Sequence, residues 1–320
     1  MDALARLLDG PRARGAFLLR MVMEPPWSIR IEDHAPLSLL CMTAGEAWIM
    51  PDAGEPVLLR PGDVAIARGP GSYTTADEIT REPTALIRPG GTCHTLQGEP
   101  LAESMYLGVR SWGNDPAGSA TMLVGTYQMK GEVSGQLLAA LPELLHLPAG
   151  VWNCPLMPVL DDEISRDEPG QSVVLDRILD LVLIAAVRDW FSRPDAAAPA
   201  WYLAMADPVV GRALRLLQDD PAHPWTVASL AAKCGVSRAG LARRFNELVG
   251  EPPMAYLTGW RLALAADLLR DTDATVEAVA RKVGYSGSFA LSAAFKRVRG
   301  ISPQEHRGGV VLPKPQQQSP

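Results

Sequence analysis

VASLAAKCGVSRAGLARRFNELVG, residues 227–250, and VEAVARKVGYSGSFALSAAFKRVRG, residues 276–300, are two versions of one pattern. Ala231, Lys233 and Gly235 correspond to Ala280, Lys282 and Gly284. After one inserted residue, Leu241, Phe245, Gly250 and Pro253 correspond to Leu291, Phe295, Gly300 and Pro303. In each copy a short run with apolar positions at helical spacing meets a glycine. One or two residues later a serine, Ser237 or Ser286, stands where a second helix needs an N-cap. The pattern predicts a helix-turn-helix, twice. Glycine permits the sharp turn, and small Ala231 and Ala280 let the paired helices approach closely.

The second helix of each pair has two faces. In the first copy Leu241, Phe245 and Leu248 share one face and are expected in the core. At about 100° per residue, Ala239, Arg243 and Asn246 point the opposite way, with Ala242 alongside. An outward face of this kind is what a recognition helix lays in the major groove. Arg243 can donate paired bonds to O6 and N7 of guanine, and Asn246 can bond a base edge or a phosphate. Arg238 and Arg244 flank that face and suit phosphates. In the second copy Leu291, Phe295 and Val298 are expected in the core. Phe289, Ala293 and Lys296 then face out, flanked by Ser288 and Ser292. Lys296, Arg297 and Arg299 supply cations, and Phe289 suits thymine methyl groups.

Charge agrees with this division of labour. The 320 residues carry a net −6, unevenly spread. Residues 1–208 hold 15 Lys and Arg against 27 Asp and Glu, whereas residues 209–307 hold 14 against 9. A polyanion partner is therefore expected at the basic C-terminal end. An apolar content of 47% and a charged content of 21% are ordinary globular values and exclude wholesale disorder. No run approaches the ~18 apolar residues of a membrane helix, and the N-terminus lacks the basic-then-apolar order of a secretory signal. Cys41, Cys93, Cys154 and Cys234 are scattered and read as free thiols of a cytoplasmic protein.

Upstream of the repeat the pattern changes. From Ala16 to about Gln128, short apolar runs are broken by Gly and Pro, and Trp27, Ile29 and Ile31 alternate with polar residues. Strands this short and closely spaced predict a small barrel or sandwich. Val173 to Phe191 is apolar around most of its circumference. Such a helix, capped by Ser172, must be buried against the barrel or against another subunit. Asp195-Ala-Ala-Ala-Pro reads as a linker, and the Gln- and Pro-rich end from Pro313 as an unstructured tail.

Residues from about 208 to 307 resemble the DNA-binding domain of the AraC/XylS transcription regulators. The resemblance rests on GVSRAGLARRF, PPMAYLTGWRLALAADLLRDT and VARKVGYSGSFALSAAFKRVRGISPQEHR. It implies seven helices, with a rigid connecting helix holding two recognition helices over successive major grooves of promoter DNA. Family members often carry a polar or aromatic residue at Ala239 and an Arg at Ala293. The first recognition helix is therefore expected to dominate sequence reading. The front of the chain is similar to the cupin-like sensing domain of one AraC subgroup, on MDALARLL, LLRPGDVAIARG and TYQMKGEVSGQLLAALPELLHLP. That similarity implies a barrel flanked by helices through which the family dimerises. The basic domain is expected to engage promoter DNA and RNA polymerase, as an activator or a repressor. Some members of the subgroup sense reactive chlorine species by cysteine oxidation.

The expected architecture is α+β with two domains. A cupin-like β-barrel with flanking helices (1–193) and a linker (194–207) precede an all-α double helix-turn-helix (208–307) and a flexible tail (308–320). The expected DNA-binding residues are Arg238, Ala239, Ala242, Arg243, Arg244, Asn246, Ser288, Phe289, Ser292, Lys296 and Arg297. Cys93 beside His94 is the candidate redox sensor, because an imidazolium lowers a thiol pKa and Gly90-Gly91 reads as an exposed loop. No metal or other cofactor is expected: Tyr73 stands about where a cupin's metal-binding histidine would be, and no H-x-H occurs. The acidic run Asp161, Asp162, Glu163, Asp167 and Glu168 reads as a solvated loop. Two alternatives stay open: a cupin enzyme with a helical accessory module, and a constitutive DNA-binding dimer that senses nothing.

Overall fold

A computed structural model describes residues 17–308, apart from 109, 128–130, 133, 134, 136, 137, 153, 165, 167 and 195. The described residues divide into a sheet-rich unit ending at Ala198 and a helical unit beginning at Pro199, with which residues 131, 132 and 135 also cluster. The opening MDALARLL, and the tail from 309 onward, lie outside the described residues.

The strands of the first unit are β1 (Phe17–Met23), β2 (Ser28–Ile31), β3 (Leu37–Ala44), β4 (Ala47–Pro51), β5 (Val57–Leu59), β6 (Val64–Arg68) and β7 (Tyr73–Ala76). There follow β8 (Ala85–Arg88), β9 (Thr92–Thr95), β10 (Tyr106–Gly108), β11 (Ser111–Gly113), β12 (Ala120–Tyr127) and β13 (Leu144–Leu147). They form a seven-stranded sheet, β10-β11-β1-β12-β3-β6-β13, and a six-stranded sheet, β5-β4-β7-β2-β8-β9. Alternation sends every second side chain inward, and the register aligns Leu19 with Val124 and Val124 with Leu40. Met21 and Met122 pair in the next inward row. These rows meet Ile29, Ile31, Ile49 and Tyr73 of the other sheet in one buried core.

The expected closed barrel is corrected here. Among the described residues no ladder joins the two sheets, so the unit is a sandwich rather than a barrel. Closure needs continuous pairing around the circumference, and strands cut to three to eight residues by Gly and Pro leave the end strands unpaired.

Two helices follow, α1 (Met157–Ile164) and α2 (Gln171–Ser192). Helix α2 packs Leu179 against Gly125 of β12, so it covers the outer face of the larger sheet. Its Leu175, Leu179, Val182, Leu183 and Ala186 are buried, while Val174 and Leu181 are exposed. Its N-terminus is at Gly170, with no side-chain cap, and not at the expected Ser172.

The helical unit contains α3 (Ala200–Ala204), α4 (Val210–Asp219), α5 (Val227–Cys234), α6 (Arg238–Val249), α7 (Pro253–Asp271), α8 (Val276–Val283), α9 (Ser288–Arg299) and α10 (Pro303–Arg307). Seven of these described helices, α4 to α10, span 210–307, as the resemblance implies. Helix α3 falls inside the expected linker. Trp201, Ala204 and Met205 pack into the helical core, so 199–207 belong with this unit. Helix α7 serves two cores: Leu257, Trp260 and Ala263 pack with α4, α5 and α6, and Leu262, Ala265, Ala266 and Leu269 with α8 and α9. Among the described residues no helix is long and apolar enough to cross a membrane.

Candidate nucleic-acid interface

Each helix pair is fixed by its ends. Helix α5 starts with a capping box in which Thr226 and Ser229 satisfy each other's backbone N–H groups. It stops at Gly235 with φ 73°. Ser237 caps α6 by accepting the Gly240 N–H at 3.1 Å, as its position predicts. Thr275 caps α8, and Gly284 ends it with φ 89°.

Helix α9 departs from the expected scheme. Ser286 does not cap it; Gly287 holds the N-cap position without a side-chain bond. The Ser288 N–H instead donates to Glu277 Oε2 of α8 at 2.7 Å. That bond, with help from Arg281, holds the Glu277 carboxyl below its ordinary 4.5. Its contribution is present above pH 4.5 and fades as pH falls through the lowered value. The cap therefore comes from the neighbouring helix rather than from the residue beside the helix end.

The outward faces can be read from the exposure of their residues. On α6, Arg238, Ala239, Arg243 and Asn246 are exposed and Ala242 is half-buried, while Leu241 and Phe245 are fully buried. The Arg243 side chain is 79% exposed and approaches Glu247 at 3.8 Å. Arg244 is already engaged: its Nε donates to Asp207 Oδ2 at 2.9 Å. Burial works to raise Asp207, but bonds from Val210, Arg244 and Val209 outweigh it and leave the carboxyl below 3.8. Asp207 thus joins the start of α4 to α6, and Arg244 holds the recognition helix in place.

On α9, Phe289 is 87% exposed. Ala293, Lys296 and Arg297 are also exposed, and Ser288 and Ser292 are half-buried. Arg299 folds back over the Phe295 ring at 4.9 Å, away from the outward cationic set. Two expected core residues are corrected: Leu248 is 39% and Val298 58% exposed. On α9 the buried residues are Leu291, Ala294 and Phe295, and the last turn adds none. The half-buried Val249 packs on the core in place of Leu248.

One residue missed from sequence ties the two pairs together. From α7, Arg261 donates through Nε to Pro221 O at 2.7 Å and through Nη2 to His223 O at 2.9 Å. Its guanidinium lies 6.0 Å from the Tyr285 ring, in the turn of the second pair. Desolvation pulls its pKa below the ordinary arginine value. The arginine within GWRLALA was the available signal, but periodicity does not say where a long side chain ends.

The candidate thiol is placed differently from expectation. Cys93 lies in strand β9 and not in an exposed loop, and is 6% exposed. Burial pushes its thiol up to about 11, away from the reactive thiolate. His94 Nδ1 is buried without a partner. Cys41 is fully buried, and Cys234 packs on the helical core. Among the described residues no group of three or more His, Cys, Asp or Glu comes together.

Comparison with known proteins agrees with this geometry. A cupin family model matches residues 2–192, and a helix-turn-helix domain model matches residues 230–309. A protein of Streptomyces antibioticus named as an AraC-like transcription regulator is 31% identical over 312 residues, covering 96% of this chain and 98% of its own length. The HTH-type transcriptional regulator AlkR of Acinetobacter baylyi is 36% identical, covering 96% and 99%. The RCS-specific HTH-type transcriptional activator RclR of Escherichia coli is 26% identical, covering 96% and 97%. Cupin and helix-turn-helix models on one chain, with relatives matched along nearly their whole length, make this protein a member of the AraC-like family of DNA-binding transcription regulators.

Proposed function

We propose that α6 and α9 read two successive major-groove segments of promoter DNA, and that a small-molecule effector in the sheet-rich domain alters that reading. The carrying observation is the pair of exposed faces, Arg238, Ala239, Ala242, Arg243 and Asn246 on α6 and Ser288, Phe289, Ser292, Lys296 and Arg297 on α9. Both are backed by cores that share α7. A helix of 19 residues is about 28 Å long, close to the ~34 Å of one DNA turn.

The two faces differ in chemistry. Arg243 suits guanine, whereas the second face offers Phe289 for thymine methyl groups and Lys296 and Arg297 for phosphates. The exposed Val174 and Leu181 on α2 support a homodimer. A contact with RNA polymerase, and a cytoplasmic location beside DNA, belong to the same reading. The buried thiol of Cys93 favours a bound effector over oxidation. The regulator reading is preferred to a cupin enzyme because the relatives are named as transcription regulators.

Base-analogue interference mapping on DNA from upstream of the gene tests the reading. Replacing guanine by 7-deazaguanine should interfere in one segment. Replacing thymine by uracil, which lacks the methyl group, should interfere in a second segment roughly ten base pairs away. Phe289→Ala should make the second segment indifferent to uracil. Interference confined to one segment contradicts a two-helix reading.

A further inference from the structure

Between the two sheets lies a cavity of about 690 Å³, a volume suited to a drug-sized molecule. Leu19, Leu40 and Val124 line it from the larger sheet, and Ile31 and Ile87 from the smaller. Its lining carries one arginine, Arg110, and one carboxylate, Asp33. Asp33 Oδ1 already accepts the Ala35 N–H at 3.0 Å.

Arg110 is less well served. Its backbone is left-handed, with φ 53° for a residue that is not glycine. Its carbonyl is fixed in place by the Arg20 N–H at 2.8 Å. Its Nη1 lies 3.6 Å from Asp176 Oδ1 on α2, which is outside hydrogen-bonding distance. Among the described residues neither atom has a hydrogen-bond partner, and each side chain is only 27% exposed. An ion pair whose facing atoms stand this far apart recovers little of its desolvation cost. Arginine is also the side chain best shaped to take a carboxylate with two parallel bonds.

We infer that this cavity binds a small amphipathic monocarboxylate, its apolar body between the sheets and its carboxylate on Arg110, in competition with Asp176. The inference rests on the effector reading above and gives that effector a chemical class. It also supplies a route outward. Asp176 stands two residues after the exposed Val174 on α2, so drawing Arg110 away alters the helix that carries the proposed dimer surface. Burial already raises the Asp176 pKa against the pull of Arg110. Losing Arg110 leaves that carboxyl poorly compensated and favours a new position for its segment of α2.

The test uses the full chain, with octanoate, decanoate and 4-phenylbutanoate set against 1-octanol and octylamine, all below micelle formation. Binding is read by calorimetry and by the fluorescence of Trp112, which lines the cavity. At least one acid should bind roughly tenfold or more tightly than the alcohol and the amine. Arg110→Gln should erase that preference, and Asp176→Asn, which removes the competing anion, should tighten acid binding. Equal binding of acid and alcohol overturns the inference. So does failure of all three acids to bind folded protein at ~1 mM. If Arg110→Gln does not fold, an unchanged acid affinity in Asp176→Asn overturns it. DNA affinity in the same samples separates the two readings. Octanol binding as well as octanoate and shifting DNA affinity equally would keep the effector and overturn the carboxylate site. Tight acid binding that leaves DNA affinity unmoved would keep the site and overturn the effector reading.

Discussion

Arg243→Ala lowers affinity for the cognate upstream site by about 1–3 kcal/mol, roughly 5- to 150-fold, and leaves affinity for random duplex nearly unchanged. The expectation follows from where the side chain stands. Arg243 projects from the face of α6 opposite the buried Leu241 and Phe245, with a 3.8 Å approach to Glu247 as its only ion pair among the described residues. Its removal costs the fold almost nothing, so the loss falls on DNA. A guanidinium donating twice to guanine is lost only where guanine is present. Lys296→Ala provides the contrast. A lysine on phosphate serves every sequence alike, so both DNAs should weaken together and the salt slope should fall by about one. Anisotropy titrations of the two variants on both duplexes check this, with circular dichroism as the folding control. Equal losses for Arg243→Ala on cognate and random DNA contradict the assignment.

Gly284→Ala destabilises the helical unit far more than Gly235→Ala, although the two glycines occupy equivalent turns. Both have positive φ, 73° at Gly235 and 89° at Gly284, and an L-residue there costs about 1–2 kcal/mol. At Gly235 a methyl group meets nothing within 4 Å, so the backbone cost is the whole effect. At Gly284 it lies 2.8 Å from Ala222 Cα, 2.9 Å from Pro221 O and 2.8 Å from Arg261 Nη2. Two of those atoms are backbone and have no easy escape. The third belongs to the arginine that holds the Pro221 and His223 carbonyls, so displacing it breaks those bonds as well. A total loss of about 3 kcal/mol or more is expected, the range of strained and disrupted sites. Urea unfolding of both variants measures the difference. Similar midpoints for the two would show that the close approach at Gly284 is not rigid.

The double helix-turn-helix was legible because its constraints are local. Ser237 caps α6, glycine ends α5 and α8, and i, i+4 spacing buries Leu241 with Phe245 and Leu291 with Phe295. Reading failed where a contact spans the fold. Nothing near Ser288 announces that Glu277, eleven residues upstream, caps α9. Nothing in LARRF says that Arg244 turns to Asp207 while its neighbour Arg243 stays free. Leu248 and Val298 follow the apolar period, yet stand exposed: α6 ends on the core through Val249 instead, and the buried residues of α9 stop at Phe295. In the sheet-rich unit the strand pattern was visible, but pairing partners were not. Strand number alone left barrel and sandwich equally open, and only the ladders decide. The same gap hid the burial of Cys93, since Gly90-Gly91 marks a turn without showing that the next strand dives into the core. The contact of Arg110 with Asp176, 66 positions away, has no sequence signature at all.

The central claim is that this chain recognises a particular DNA sequence through α6 and α9. Its most direct test is fluorescence anisotropy of the full-length protein on DNA from upstream of its own gene, with excess random duplex as competitor and salt titrated. Binding should resist the competitor by roughly a thousandfold or more and weaken linearly in log affinity against log salt. Folded protein that binds both duplexes equally at every salt concentration would contradict the claim.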